Sequence, residues 1–418
     1  MRTLHAPSRR ELLLASGVLF AWAHVPKVAR AEGRDPRFLV IVLRGALDGL
    51  AAVAPVGDPD YVALRGDKVL RLDGETPALP LDRLFALNPA MPNLHRLYRA
   101  GHASIVHAVA TPYRERSHFD GQDVLESGLP APGATDVGWL NRALSALEPG
   151  GRVDPAKAFA IGPVTPLVVR GPAPVLSWTP PRLQPAGEDT LARVLDLYRH
   201  TDAPLARALE ERVGLAAIAG AGGIDPAQGA ASPPRPGAGT QQVNQVHAYF
   251  AESAGSAAKF MSRPDGPRVG ALAFDGWDTH ADEGAVGGRL AVLLGALDGA
   301  IAAVETGMGP AWGETVVAVV TEFGRTARIN GTDGTDHGTA TVALLAGGAI
   351  KGGRVLADWP GLKVAQLRDQ RDLKPTTDMR TVLKGVLRDH LRLPDQRLAA
   401  VFPDSANAKP LAGLVAGA

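Results

Sequence analysis

Two short motifs hold residues suited to chemistry. Gly276-Trp277-Asp278-Thr279-His280 sets a carboxylate two positions from an imidazole, and Gly334-Thr335-Asp336-His337-Gly338 sets the two side by side in a glycine turn. Residues of the same kinds stand at Asp48 behind Arg44-Gly45, at His118 behind Arg116-Ser117, and at Glu322 in Glu322-Phe323-Gly324-Arg325. Carboxylate oxygen with imidazole nitrogen suits a hard or borderline divalent ion: zinc, manganese, iron, calcium or magnesium. The chain has no cysteine, which excludes disulfides, thiolate metal sites, iron–sulfur clusters and a cysteine nucleophile. Taken singly, each motif also has a structural reading. An Asp-His pair in a glycine turn caps or bonds locally, and a histidine in apolar surroundings packs in a core.

Their common position argues for a site. Phe38–Arg44, Ala103–Ala110, Val269–Phe274, Thr315–Thr321 and Thr341–Ala346 are short apolar runs that read as buried strands. Near-continuous apolar character suits a parallel sheet covered on both faces. The polar segments follow the first four runs, and the Asp336-His337 turn lies just before the fifth. In open α/β sheets ligands collect at the carboxyl ends of strands.

The elements between the strands have helical patterns: Asp189–His200, Pro204–Ile218, Gln242–Met261, Gly288–Glu305 and Asp378–Leu391. Leu290, Leu293, Leu294, Leu297 and Ile301 share one helix face, and Thr376, Thr377 and Asp378 offer N-caps for the last helix. The alternation predicts an α/β fold, doubly wound, with a mostly parallel central sheet and helices on both faces. A single domain is expected over 32–418, interrupted by a flexible Gly/Ala/Pro-rich loop at 219–240. Neither nucleotide-loop glycine spacing nor a G-x-S-x-G elbow occurs.

Composition narrows the function classes. Lys and Arg number 44 against 43 Asp and Glu, so no basic surplus points to nucleic acid. A 45% hydrophobic, 21% charged chain is not globally disordered. The N-terminus reads as an address: Ser8-Arg9-Arg10-Glu11-Leu12-Leu13-Leu14 resembles a twin-arginine export signal, and Ala29-Arg30-Ala31 fits an A-x-A cleavage site. The apolar stretch Leu12–Ala23 between them is too short to span ~30 Å of hydrocarbon. Residues 1–31 are therefore expected to be a signal peptide, with the twin-arginine machinery as partner. The mature protein is expected to be periplasmic or secreted, without an integral membrane segment.

Across its mature length the chain resembles the DUF1501 family of exported bacterial proteins. The resembling segments are LVIVLRGALDGL, RSHFDGQDVLESG, GWLNRAL, GWDTHADE, VVAVVTEFGRTARINGTDGTDHGTA and KGGRVLADWPGL. That family is similar to the alkaline phosphatase-like superfamily of phosphatases, sulfatases and phosphoglycerate mutases. The resemblance implies a parallel sheet with two metal ions and a hydroxyl nucleophile. It puts Ser117 in the nucleophile's place, Asp48 at the first-strand metal position, and Asp278, His280 and His337 on one ion. Glu322-Phe323-Gly324 replaces the superfamily's Asp-His-Gly, so a second-metal histidine is missing, and Asp336 and His118 are the candidates to replace it. The lack of cysteine and of the residues that follow a sulfatase nucleophile argues against a standard sulfatase.

The expected activity is metal-dependent hydrolysis of phosphate or sulfate esters by Ser117, with Arg325, Arg116 and Arg44 as candidate clamps for an anionic ester substrate. The alternative is a non-catalytic envelope binding protein on the same fold. The expected metal ligands are Asp48, Asp278, His280, Glu322, Asp336 and His337, with Ser117 and Asp48 a few ångströms beyond the first ion.

Overall fold

The computed structural model describes residues 20–23, 35–133, 135–147, 159–161, 166–173, 175–177, 240–264 and 266–417, with isolated positions 195 and 198. The expected helix at 189–200 except positions 195 and 198, the expected helix at 204–218, the loop at 219–240 except Thr240, and most of the expected signal lie outside the described residues.

The strands of the main sheet are β1 (Phe20–Ala23), β2 (Arg37–Arg44), β3 (Ala103–Ala110), β4 (Phe159–Ile161), β5 (Leu176–Ser177), β6 (Val269–Asp275), β7 (Thr315–Thr321), β8 (Thr341–Ala346), β9 (Arg354–Leu356) and β10 (Thr377–Asp378). Their order is β9-β3-β8-β7-β2-β6-β1-β4-β5, with β10 also paired to β3. At the centre, β2 lies parallel to β7 from Thr315↔Arg37 to Thr321↔Leu43, and parallel to β6 from Phe38↔Val269 to Arg44↔Asp275. Among the described strands, only β1 and β8 run against the rest. All five expected strands are present. The fifth, β8, is antiparallel to both neighbours, although its apolar run is as continuous as theirs.

The central strands are apolar at every position because both faces are covered. Along β2, Leu39, Ile41 and Leu43 face one core and Phe38, Val40 and Val42 the other. The first core is closed by α1 (Pro92–Arg99) together with two long helices. The second is closed by α2 (His118–Ser127) and α3 (Trp139–Ala146) and by the C-terminal helices. The long helices are α4 (Thr240–Ser262) and α5 (Arg289–Met308); the C-terminal ones are α6 (Met379–Asp389) and α7 (Asp395–Val401). The segment Arg289–Glu314 is long and apolar enough to cross a membrane by length and composition. Here α5 buries Leu290, Leu293, Leu294, Leu297 and Ile301 in the first core. Asp378 caps α6, accepting from Arg380 N at 2.8 Å.

The reversal of β8 matters for the site. β2, β3, β6 and β7 all end at one edge of the sheet. Because β8 runs the other way, the Asp336-His337 turn before it arrives at that same edge. Bonds between the loops hold the edge together: Gly45 N donates to Glu322 Oε1 (2.8 Å), Thr341 Oγ1 to Leu47 O (2.9 Å), Thr335 N to Thr279 O (3.1 Å) and Gly338 N to Gly324 O (2.8 Å).

Candidate metal centre

Asp278 is the hub. It follows β6 after a tight turn over Gly45, whose φ is +119° and where a Cβ would meet Asp278 N at 2.5 Å. Only glycine allows the post-β2 and post-β6 loops to approach this closely. Around Asp278 Oδ1 stand three imidazoles: His280 Nε2 at 3.1 Å, His337 Nε2 at 3.4 Å and His118 Nε2 at 3.5 Å. His280 Nε2 and His337 Nε2 are themselves 2.9 Å apart. Edges of a tetrahedral zinc site with nitrogen and oxygen bonds of 2.0–2.2 Å are about 3.3–3.6 Å, so the three distances to Asp278 Oδ1 are close to those of common ligands.

Each ring is fixed from behind. His118 Nδ1 meets Glu322 Oε1 at 2.9 Å, His337 Nδ1 meets Arg116 O at 2.8 Å, and His280 Nδ1 meets Asp336 Oδ1 at 3.3 Å. Carboxylates and carbonyls only accept, so the Nδ1 atoms donate and the Nε2 lone pairs are left facing Asp278. Electron-rich atoms facing one another require a cation or protons between them. His118 Nε2 is buried, makes no hydrogen bond and lies 3.5 Å from Asp278 Oδ1, a placement that suits a ligand atom. His118, Asp278 and His337 could hold a metal ion, their ligand atoms lying within 4.8 Å of one another. His280 joins from the exposed side.

Charge agrees with that geometry. Burial works against ionisation of Asp278, but His118, His337 and Arg325 beside it hold its carboxyl below the usual carboxylate range. Asp278 and Glu322 together push the His118 imidazolium up to about 9, so a metal entering here displaces a proton.

The other expected site residues have different partners. Glu322 is fully buried and, besides His118, accepts from Gly45 N, from Thr321 Oγ1 at 2.8 Å and from Gln122 Nε2 at 3.3 Å. It stands behind a ligand rather than among them, and Asp336 is in the same relation to His280. Asp48 is not brought into the cluster. It caps the short helix Gly49–Ala52, accepting from Leu50 N at 2.9 Å, and forms a buried ion pair with Arg65. Arg325, expected as an anion clamp, is buried behind Asp278, which it touches at 2.6 Å, and its other nitrogens bond Thr335. Arg44 is paired with Glu126 at 2.6 Å.

Ser117 sits between the two residues that reach the cluster, Arg116 through its carbonyl and His118 through its ring. It occupies the N-cap position of α2, but its side chain does not cap the helix. Arg116 adopts a left-handed φ of 61°, a conformation that costs a non-glycine residue about 1 kcal/mol or more. It is held there by His337 on its carbonyl and by Asp369 and Asp372 on its guanidinium. Trp277, where the post-β2 and post-β6 loops meet, is fully buried.

His118, expected only as a substitute ligand, belongs to the compact set. Its signal was adjacency to Ser117 at the start of a helix after a strand. Arg65 and Glu283 were missed altogether. Glu283 is a buried carboxyl accepting from Thr279 Oγ1 at 3.0 Å and Thr335 Oγ1 at 3.2 Å. Burial and the neighbouring Asp48 charge push it up to about 8.

A family model described as "Protein of unknown function (DUF1501)" matches residues 100–402, well over half of the chain. A comparison with curated proteins finds no match.

Proposed function

The chain belongs to the DUF1501 family, and on that premise we propose that it is an exported metal-dependent hydrolase of phosphate or sulfate esters with an alkaline phosphatase-like architecture. The observation that carries this reading is the convergence of three imidazoles on Asp278, each ring held from behind by an acceptor. Export by the twin-arginine route, which moves folded cargo, suits a protein that loads its ion before crossing the membrane.

In this reading His118, Asp278 and His337 hold one divalent ion, with His280 as the outer donor. When bound, the ion supplies Lewis-acid polarisation of the ester and lowers the pKa of a nearby hydroxyl. Arg325 keeps Asp278 ionised and aimed, and Glu322 fixes the tautomer of His118. Ser117 Oγ gives up its proton and forms the new bond to phosphorus or sulfur as the ester bond breaks, and the departing oxygen takes up a proton to leave as the alcohol. Water then releases the oxyanion and restores the Ser117 hydroxyl.

The sealed Asp48–Arg65 pair and the buried Arg325 favour one ion over two. They also favour a second reading, a non-catalytic envelope binding protein. The two are separated by measuring metal content and hydrolysis of 4-nitrophenyl phosphate and 4-nitrophenyl sulfate. The hydrolase reading expects about one equivalent of metal and turnover, with Ser117→Ala losing turnover but keeping the metal. Metal without turnover of either ester class leaves the binding protein, and a metal-free protein that cannot be reconstituted removes the centre.

A further inference from the structure

Three arginines outside the metal cluster gather where the loop after β3 meets residues 364–376 and the start of α6. Arg114 donates through Nη1 to the carbonyls of Thr111 and, at 2.7 Å, Tyr113. β10 pairs Thr377 and Asp378 with Val109 and Ala110, and Thr376 N donates to Ala108 O at 2.9 Å. The first turn of α6, with Arg380, therefore lies beside the Arg114 loop. Arg368 arrives on the adjoining loop, bridged through its backbone to Asp372. Burial, with Arg368 and Arg380 alongside, pulls the Arg114 guanidinium below the ordinary arginine range, although Asp378 opposes the shift.

Most nearby carboxylate oxygens are already committed; Asp372 Oδ1 is buried without a hydrogen bond and lies 3.3 Å from Arg371 Nη1. Asp378 holds Arg380 Nη2 at 2.7 Å and caps α6. Asp372 Oδ2 accepts from Arg116 Nε at 2.9 Å and Thr339 Oγ1 at 2.8 Å. Asp369 holds Arg116 Nη2 at 2.8 Å and lies 3.5 Å from Arg368 Nε. Three donors are left buried without a hydrogen-bond partner: Arg368 Nε, Arg380 Nη1 and Thr376 Oγ1. A buried donor left unsatisfied costs about 1–3 kcal/mol, and more when charged. Several in one basic cluster are explained by a bound acceptor.

We propose that Arg114, Arg368 and Arg380, with Thr376, form a seat for a tetrahedral oxyanion group, phosphate or sulfate, separate from the metal centre. Arg116 links the two places, its carbonyl on His337 and its guanidinium on Asp369 and Asp372. Four peptide units separate Arg114 from His118, a Cα span of at most ~15 Å. Resting on the hydrolase reading, the substrate class is a multiply phosphorylated or sulfated ester. One anionic group would be hydrolysed at the metal centre while another is held by the arginines.

The test titrates EDTA-treated full-length protein calorimetrically with inorganic phosphate and, separately, with inorganic sulfate. Saturable binding of at least one anion is expected, weakened at least tenfold in Arg368→Gln and partly recovered in Arg368→Lys. The double variant His118→Ala/His337→Ala should bind the anion as the wild type does. Arg368 is partly exposed, and unchanged thermal melting confirms that its variants fold. Absence of saturable binding, unchanged affinity in Arg368→Gln, or binding lost only in the histidine variant overturns the seat. None of these readouts needs catalysis, so failure of the hydrolase reading is seen separately, as absent ester turnover. With turnover in hand, Arg368→Gln should raise KM for a bisphosphate ester while leaving KM for 4-nitrophenyl phosphate and both kcat values unchanged; equal shifts for both esters refute the substrate class.

Discussion

Glu322→Gln decides whether that carboxylate is a metal ligand or the residue that orients one. The substitution preserves shape and keeps one acceptor. With the amide oxygen in the Oε1 position, the bonds from Gly45 N (2.8 Å), His118 Nδ1 (2.9 Å) and Gln122 Nε2 (3.3 Å) survive. The amide nitrogen then faces Thr321 Oγ1, which can rotate to accept. The fold should hold, because a buried charge is removed at the loss of one hydrogen bond, the one that the Thr321 hydroxyl donates to Oε2. What changes is the charge-assisted bond to His118, which fixes its tautomer and raises its basicity. Loss of such an outer partner costs about 10–100-fold in metal affinity, equivalent to about 1.4–2.7 kcal/mol. The assay is competition for zinc against a chromophoric chelator at fixed pH, with circular dichroism to confirm the fold. A ligand replaced by an amide would instead leave the protein without stoichiometric metal. Zinc affinity unchanged to within about threefold would refute the orienting role, since it lies below the range for outer partners.

Arg65→Met should cost about 3–5 kcal/mol in chemical denaturation, because it strands the buried Asp48 charge; a loss under about 1 kcal/mol would show that the pair is not the lock it resembles. Asp48→Asn should retain one equivalent of metal while Asp278→Asn loses it, and the opposite order would return Asp48 to the ligand set. Glu283 holds its proton up to about pH 8 in the folded chain but only to about 4.3 when unfolded. Folding stability from this group therefore falls as pH rises between those values and levels off above them. The stability of Glu283→Gln relative to wild type should accordingly grow from pH 5 to pH 8, and a constant or shrinking difference refutes the buried neutral acid. Replacing Arg9 and Arg10 together by lysine should leave the precursor in the cytoplasm, and efficient export of that variant removes the twin-arginine reading.

The five long strands were legible because each is a short apolar run between turns, and burial on both faces makes the signal continuous. The direction of β8 was not, since side-chain pattern is the same for parallel and antiparallel central strands. The convergence of Asp278, His280 and His337 was readable from their place at strand ends. The roles of Asp48 and Glu322 were not. Whether a carboxylate stands in front of a histidine or behind it depends on which way the loop turns, and Gly45 and Arg65 decide that through contacts distant in the chain. The buried Arg325 misled for a related reason: a guanidinium near a carboxylate reads as an anion clamp until its fork is seen to be filled.

The reversed strand also sets when the candidate metal cluster can assemble during folding. His118, Asp278 and His337 reach one point only after β3, β6, β7, β2 and β8 have registered across the centre of the sheet. The long stretch of chain between His118 and Asp278 must be closed by sheet pairing first, because each long closure costs entropy before any contact compensates. Unlike a small zinc module, whose ligands sit on neighbouring turns and whose ion drives folding, this centre cannot nucleate its own scaffold. An ion added during refolding should leave the rate of sheet formation unchanged and slow only unfolding, acting as a latch fitted after the door has been hung.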